Sequence, residues 1–188
     1  CVIYNGNDKN TLDALADIQG KKLISFGITH NCNYVAKNIS YTNGAFPCYD
    51  LYINGEYKAK IELGVPGDHN VHNSLAAIAT AMYCGATVEQ CKDSILTFSG
   101  AGRRFEHLGS YNGADIVDDY AHHPAEIEVT LSAAKKMNYK RVWAVFQPFT
   151  FSRTKMHLNA FAEALSIADN VVLTEIMGSR EINTYGIT

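Results

Sequence analysis

The chain has 188 residues, 47% of them hydrophobic and 19% charged, with a formal net charge of −3. That is enough apolar material to bury the core of one large domain or two small ones. No long basic run is present, so nucleic acid is not an expected partner, and no apolar stretch is long enough to make a membrane one. The five cysteines are odd in number and form no CxxC pair, which points to reduced cytoplasmic thiols rather than a disulfide framework or structural zinc.

The chain opens on Cys1-Val2-Ile3-Tyr4, an apolar strand that starts abruptly, as expected of a piece cut from a longer protein. It carries no charged n-region of a signal peptide. Leu12, Leu15 and Ile18 then mark one face of a short helix. Residues 22–28 read as the next strand, giving a β-α-β start. Residues 34–42, 48–53 and 57–63 read as antiparallel strands, with Asn54-Gly55 as the hairpin turn between the last two. Asp68 stands where it caps the following helix, whose apolar side is Val71, Leu75, Ile78, Ala79 and Met82; Gly85 ends it. Val88, Cys91, Ile95 and Leu96 mark a second helix, and Gly100-Ala101-Gly102 reads as a linker.

After the linker, residues 114–117 form a strand ending at Asp118-Asp119. Pro124 occupies a first helical position ahead of Ile127, Leu131 and Ala134. Residues 141–146 read as a central parallel strand, 154–168 as one helix, and 170–174 as a last strand. This alternation predicts an open, doubly wound α/β sheet.

Five clusters carry chemistry. In Asp68–Asn73, the carboxamides of Asn70 and Asn73 lie three apart at a helix start. Such a group matches the N6/N7 edge of adenine, although helix capping also accounts for it. Arg103 and Arg104 at the linker suit a phosphate, or are simply solvated. Asp118-Asp119-Tyr120-Ala121-His122-His123-Pro124 follows a strand and precedes a helix, the edge where open α/β sheets bind ligands. There an aspartate suits a ribose and His122 an anionic group; a turn with His123 as N-cap, or a His/Asp metal site, are the other readings. Residues 146–154 make a second loop on such an edge, with Arg153 near a helix start. Residues 175–181 end in Arg180-Glu181, which reads as a surface ion pair.

Taken in order, the stretches PGDHNVHNSLAAIA (66–79), GAGRRFEHLG (100–109), DDYAHHPAEI (118–127), VFQPFTFSRT (145–154) and EIMGSRE (175–181) resemble the Mur ligase family. The resemblance implies an α/β fold in which residues 1–102 are the later part of a central ATPase domain. Residues 103–188 are then a truncated Rossmann-like C-terminal domain. It implies ATP and magnesium as cofactors, and a reaction joining L-alanine to UDP-N-acetylmuramate through an acyl phosphate. It also implies that Asn70 and Asn73 flank adenine, that Arg104 touches the ATP phosphates, and that Asp119 holds the ribose or domain closure. Tyr120, His122 and Arg153 then face the muramoyl carboxylate and the alanine, with His122 and Arg153 as the catalytic pair.

The sequence departs from the family's pattern in three ways. It has no Gly-rich phosphate loop ending Gly-Lys-Thr and no magnesium-associated Glu and His. It has no uridine-binding domain. Phe149 stands where a His is usual. Alone, the polypeptide is therefore expected to be inactive. The alternatives are a related ligase acting on a recycled UDP-muramoyl peptide, a non-catalytic nucleotide-binding module, and a His/Asp metal hydrolase.

Overall fold

The structure is a computed structural model and describes residues 1–29 and 31–188. The chain divides into two compact units, Cys1–Ser99 and Gly100–Thr188, each with its own apolar core.

The first unit is built on a five-stranded sheet in the order β1 (Val2–Asn5), β2 (Leu23–Gly27), β3 (Tyr34–Thr42), β4 (Phe46–Ile53), β5 (Glu56–Glu62). The pairs β1–β2 and β2–β3 are parallel; β3–β4 and β4–β5 are antiparallel. Asn54 and Gly55 both have positive φ, 50° and 87°, which gives the turn a twist matching the strands. Helix α2 (His69–Tyr83) buries Val71, Leu75, Ile78 and Ala79 among sheet residues such as Tyr49, Leu51 and Ile61. It closes with Gly85 N–H on Met82 O (3.0 Å) and Ala86 N–H on Ala81 O (3.0 Å), the paired bonds that satisfy terminal carbonyls. Helix α3 (Val88–Thr97) starts in a reciprocal cap between Thr87 and Gln90 and buries Cys91.

One element of this unit packs loosely, and one expectation fails. Helix α1 (Lys9–Leu15) buries no residue, and Leu12 and Ile18 are 43% and 44% exposed. Asp68 sits at the N-cap of α2 without capping it, and its side chain bonds Tyr41 instead.

The second unit begins with a hairpin of β6 (Glu106–Tyr111) and β7 (Ala114–Asp118), turned by Asn112 and Gly113 at positive φ (49° and 82°). Helix α4 (Pro124–Lys136) follows, then β8 (Trp143–Phe146), α5 (Phe151–Met156), α6 (Leu158–Leu165) and β9 (Asn170–Leu173). Strands β8 and β9 pair in parallel, and Ile127, Leu131, Ala144, Phe161 and Leu165 form the core.

The expected continuous doubly wound sheet is corrected here. Strand β7 pairs antiparallel with β6, a strand whose broken alternation at Gly109 hid it from the sequence reading. Among the described residues β7 and β8 share no ladder. A cavity of about 740 Å³ lies between them, lined by Val117 and Asp119 on one side and Trp143 and Val145 on the other. Strand β8 is therefore not a two-sided central strand, and Trp143 and Val145 are 60% and 73% exposed. The single helix expected over 154–168 is two helices that meet at His157.

Candidate functional site

In the first unit, the turn into α2 carries the asparagine pair. Asn70 Nδ2 donates to Pro66 O (2.7 Å), and Asn73 Nδ2 donates to Asn70 Oδ1 (2.9 Å). This relay starts on a carbonyl of the preceding turn, so it fixes both carboxamides relative to the backbone. Asn73 is exposed. One bond spent on Asn70 leaves it an N–H and its Oδ1, a donor beside an acceptor. His72, half-buried one residue away, has its imidazole pKa lowered by burial, which favours the neutral ring.

In the second unit, the arginine segment and the DDYAHHP loop are stitched together by backbone contacts. Asp119 Oδ2 accepts from Phe105 N (2.9 Å), and its Oδ1 accepts from Ala121 N (2.7 Å). Tyr120 N donates to Arg103 O (2.8 Å). Arg103 Nε donates to Asp118 Oδ2 (3.0 Å), and its backbone N to Glu106 Oε2 (2.7 Å). Arg103 and Phe105 both have positive φ, 57° and 49°. The segment is thus folded tightly onto the loop, at a backbone cost that these bonds offset.

The result is a stack of cations on one aromatic ring. The guanidinium carbons of Arg103 and Arg104 lie 5.0 and 5.7 Å from the centroid of Tyr120. The ring of His122 meets Tyr120 edge-on at 5.1 Å. Each cation–π contact at such an exposed ring is worth about 0.5–1 kcal/mol, enough to bias a side chain without locking it.

His122 Nδ1 lies 2.9 Å from Tyr120 O. A carbonyl only accepts, so Nδ1 carries the proton and Nε2 of the neutral ring keeps its lone pair. Glu126 Oε2 accepts from His122 N (2.9 Å) and stands 3.6 Å from Nδ1. The Glu126 carboxyl is held below its ordinary pKa first by that backbone bond, and further by the His123 backbone N–H and the Arg104 charge. His123 is the N-cap of α4, accepting from Ala125 N at 3.4 Å. Its ring also meets His157 at 5.0 Å. That contact sets the His122 loop beside the α5–α6 junction, close along the chain to Arg153. His122 and Arg153 themselves share no hydrogen bond among the described residues.

Arg153 sits in α5, in the loop region after β8, with Ser152 bonded to Glu181. The Arg180-Glu181 surface pair read from sequence is corrected: Glu181 points its carboxylate at Ser152. The sequence reading also missed Glu126 and His157. Glu126 had a legible signal, standing three residues after the N-cap; His157 had none. Among the described residues no three His, Cys, Asp or Glu side chains come together to hold a metal. No helix among them is long and apolar enough to cross a membrane.

Known proteins resemble this chain in sequence and fold. The model of the Mur ligase middle domain matches residues 1–81, and that of the Mur ligase glutamate ligase domain matches residues 103–184. The chain is 51% identical over 155 residues to a UDP-N-acetylmuramate–L-alanine ligase of Lachnospira eligens, covering 82% of this chain and 34% of that protein. It is 45% identical over 186 residues to the ligase of the same name from Agathobacter rectalis, covering 99% of this chain and 40% of that protein. The crystal structure of UDP-N-acetylmuramate-alanine ligase from Thermotoga maritima superposes with a TM-score of 0.76 at 30% identity, covering 95% of this chain and 38% of that one. The chain thus spans 34% and 40% of the length of these two curated relatives. Matched along most of its length by two models of one family, and by relatives that carry that family's name and fold, the chain belongs to the Mur ligase family.

Proposed function

We propose that the chain is a segment of a cytoplasmic, ATP-dependent ligase that joins L-alanine to UDP-N-acetylmuramate in peptidoglycan synthesis. Residues 1–102 would belong to its central ATP-binding domain and residues 103–188 to its C-terminal domain. The observation that carries this reading is the organised cationic edge of the second unit. There Arg104, Tyr120 and His122 are set by Asp119 and Glu126.

In the whole enzyme ATP phosphorylates the lactyl carboxylate, releasing ADP. The alanine amine then attacks the acyl carbon, loses a proton and expels inorganic phosphate. The chain's own residues supply positioning and charge. Asn73, oriented by Asn70, presents a donor and an acceptor to an adenine edge. Arg104 offers a guanidinium to a phosphate. Asp119 holds the segment that carries Arg104, and each of its oxygens keeps a second lone pair for a ribose hydroxyl. His122 directs Nε2 as a proton acceptor toward the alanine ammonium, with Tyr120 fixing the ring. Arg153 neutralises a carboxylate, that of alanine or of the muramoyl group. By the resemblance, the magnesium-holding residues lie outside these 188 residues.

The test is a phosphate-release assay with ATP, UDP-N-acetylmuramate and L-alanine. The chain alone is expected to be silent, because it has no Gly-rich phosphate loop. A chimaera in which residues 1–188 replace the matching stretch of a longer relative is expected to turn over. In that chimaera Arg153→Ala should lower kcat/KM for alanine by about 10–1,000-fold. Turnover by the chain alone would overturn the reading, as would a chimaera active only with a muramoyl tripeptide.

A further inference from the structure

The stretch EIMGSRE at residues 175–181 has no role in the site described so far. It follows β9 and runs alongside the loop that follows β8. Thr150 N donates to Met177 O (2.9 Å), and Met177 N donates to Pro148 O (2.9 Å). Phe149 and Met177 form a parallel bridge that prolongs the β8–β9 pairing. Phe151 lies against Gly178 so closely that a Cβ there would stand 2.5 Å from its Cε2. Finally, Glu181 accepts from Ser152 N at 2.8 Å and, with its other oxygen, from the Ser152 hydroxyl.

These contacts converge on the residue before Arg153. Helix α5 has only six residues, too few to hold its own geometry. Its N-cap, Thr150, has φ 66° and ψ 140°, a conformation that a β-branched residue adopts only when its surroundings impose it. No side chain within α5 caps it. The tether therefore comes from outside, from Glu181 at one point and the Met177–Gly178 backbone at the other. The Glu181 charge also acts on Arg153.

We propose that Glu181 is a positioning residue for Arg153: by gripping Ser152 through both carboxylate oxygens, it holds the short helix, and with it the guanidinium, in one orientation. Its value to the reaction rests on the reading above that Arg153 meets a substrate carboxylate.

The 188-residue chain itself tests the positioning without substrate. Amide exchange at Ser152 and the Nε–Hε NMR signal of Arg153 are compared in the unsubstituted chain, Glu181→Ala and Glu181→Gln. Glu181→Ala should speed Ser152 exchange by roughly tenfold and make the Arg153 Nε–Hε group mobile. Glu181→Gln should restore most of both, because its oxygen accepts from Ser152 N while its NH₂ donates to the hydroxyl. If Glu181→Ala unfolds the second unit, Ser152→Ala supplies the same readout by removing the hydroxyl bond alone. An Arg153 signal equally ordered in all variants overturns the proposal, even where Ser152 exchange rises. An ordered Arg153 whose removal leaves the chimaera's kcat/KM for alanine unchanged would instead sink the proposed function and leave the positioning standing.

Discussion

Replacing Asp119 with alanine removes two hydrogen bonds at once, to Phe105 N at 2.9 Å and to Ala121 N at 2.7 Å. A bond to a charged acceptor contributes about 1.5–3 kcal/mol where it is shielded, and about 0.5–1.5 kcal/mol where water competes. Asp119 is half-buried, so the two together should contribute roughly 2–3 kcal/mol after solvent screening. Asp119→Asn should cost about half of that: its carboxamide oxygen keeps one bond, while its NH₂ faces a second N–H donor. The assay is urea unfolding of the 188-residue chain followed by the fluorescence of Trp143, the one tryptophan, which lies in the second unit. Amide exchange at Phe105 and Ala121 locates the effect. The expected order of stability is Asp, then Asn, then Ala. An alanine variant within about 0.5 kcal/mol of the unsubstituted chain, with both amides still protected, would refute the reasoning. It would show that the Arg103–Phe105 segment keeps its place without Asp119.

Three further outcomes follow from the geometry. The Glu126 carboxyl is held below its ordinary 4.5, chiefly by the His122 N–H, so its contribution is complete above pH 4.5 and is lost as pH falls through the lower folded value. The second unit's urea midpoint should therefore fall between pH 5 and 3 by more in the native chain than in Glu126→Gln; equal slopes would count against the cap. Leu75→Ala, at a position with no exposed surface, should destabilise the first unit by about 2–5 kcal/mol and leave the Trp143 transition in place. Gly178→Ala forces its Cβ onto the Phe151 ring and should cost the second unit about 1–3 kcal/mol by urea unfolding, whereas Ser179→Ala should not.

Much of this molecule is legible in the order of its residues. The spacing of Val71, Leu75 and Ile78 marks a helix with one buried face, and Asn54-Gly55 marks a two-residue turn, because 3.6-residue periodicity and positive φ are local demands. The five motifs in series identify the family for the same reason, since each is written in consecutive residues. What the sequence does not carry is anything set by a partner distant along the chain. Leu12 and Ile18 share a helical spacing, yet both stay exposed. Apolar β8 looks central, yet β7 turns away to pair with β6 and leaves a cavity between. Asp68 looks like a cap, yet its carboxylate goes to Tyr41. Arg180-Glu181 looks like an ion pair, yet Glu181 reaches 29 positions back to Ser152. The same holds for the Arg103–Arg104–Tyr120–His122 stack, whose members are visible in sequence but whose geometry depends on the Asp119 bond across 14 residues. Local propensity thus decides which elements and motifs form. Tertiary contacts decide which of several possible acceptors each side chain takes, because those alternatives differ by only a kilocalorie or so and long-range packing is enough to choose among them.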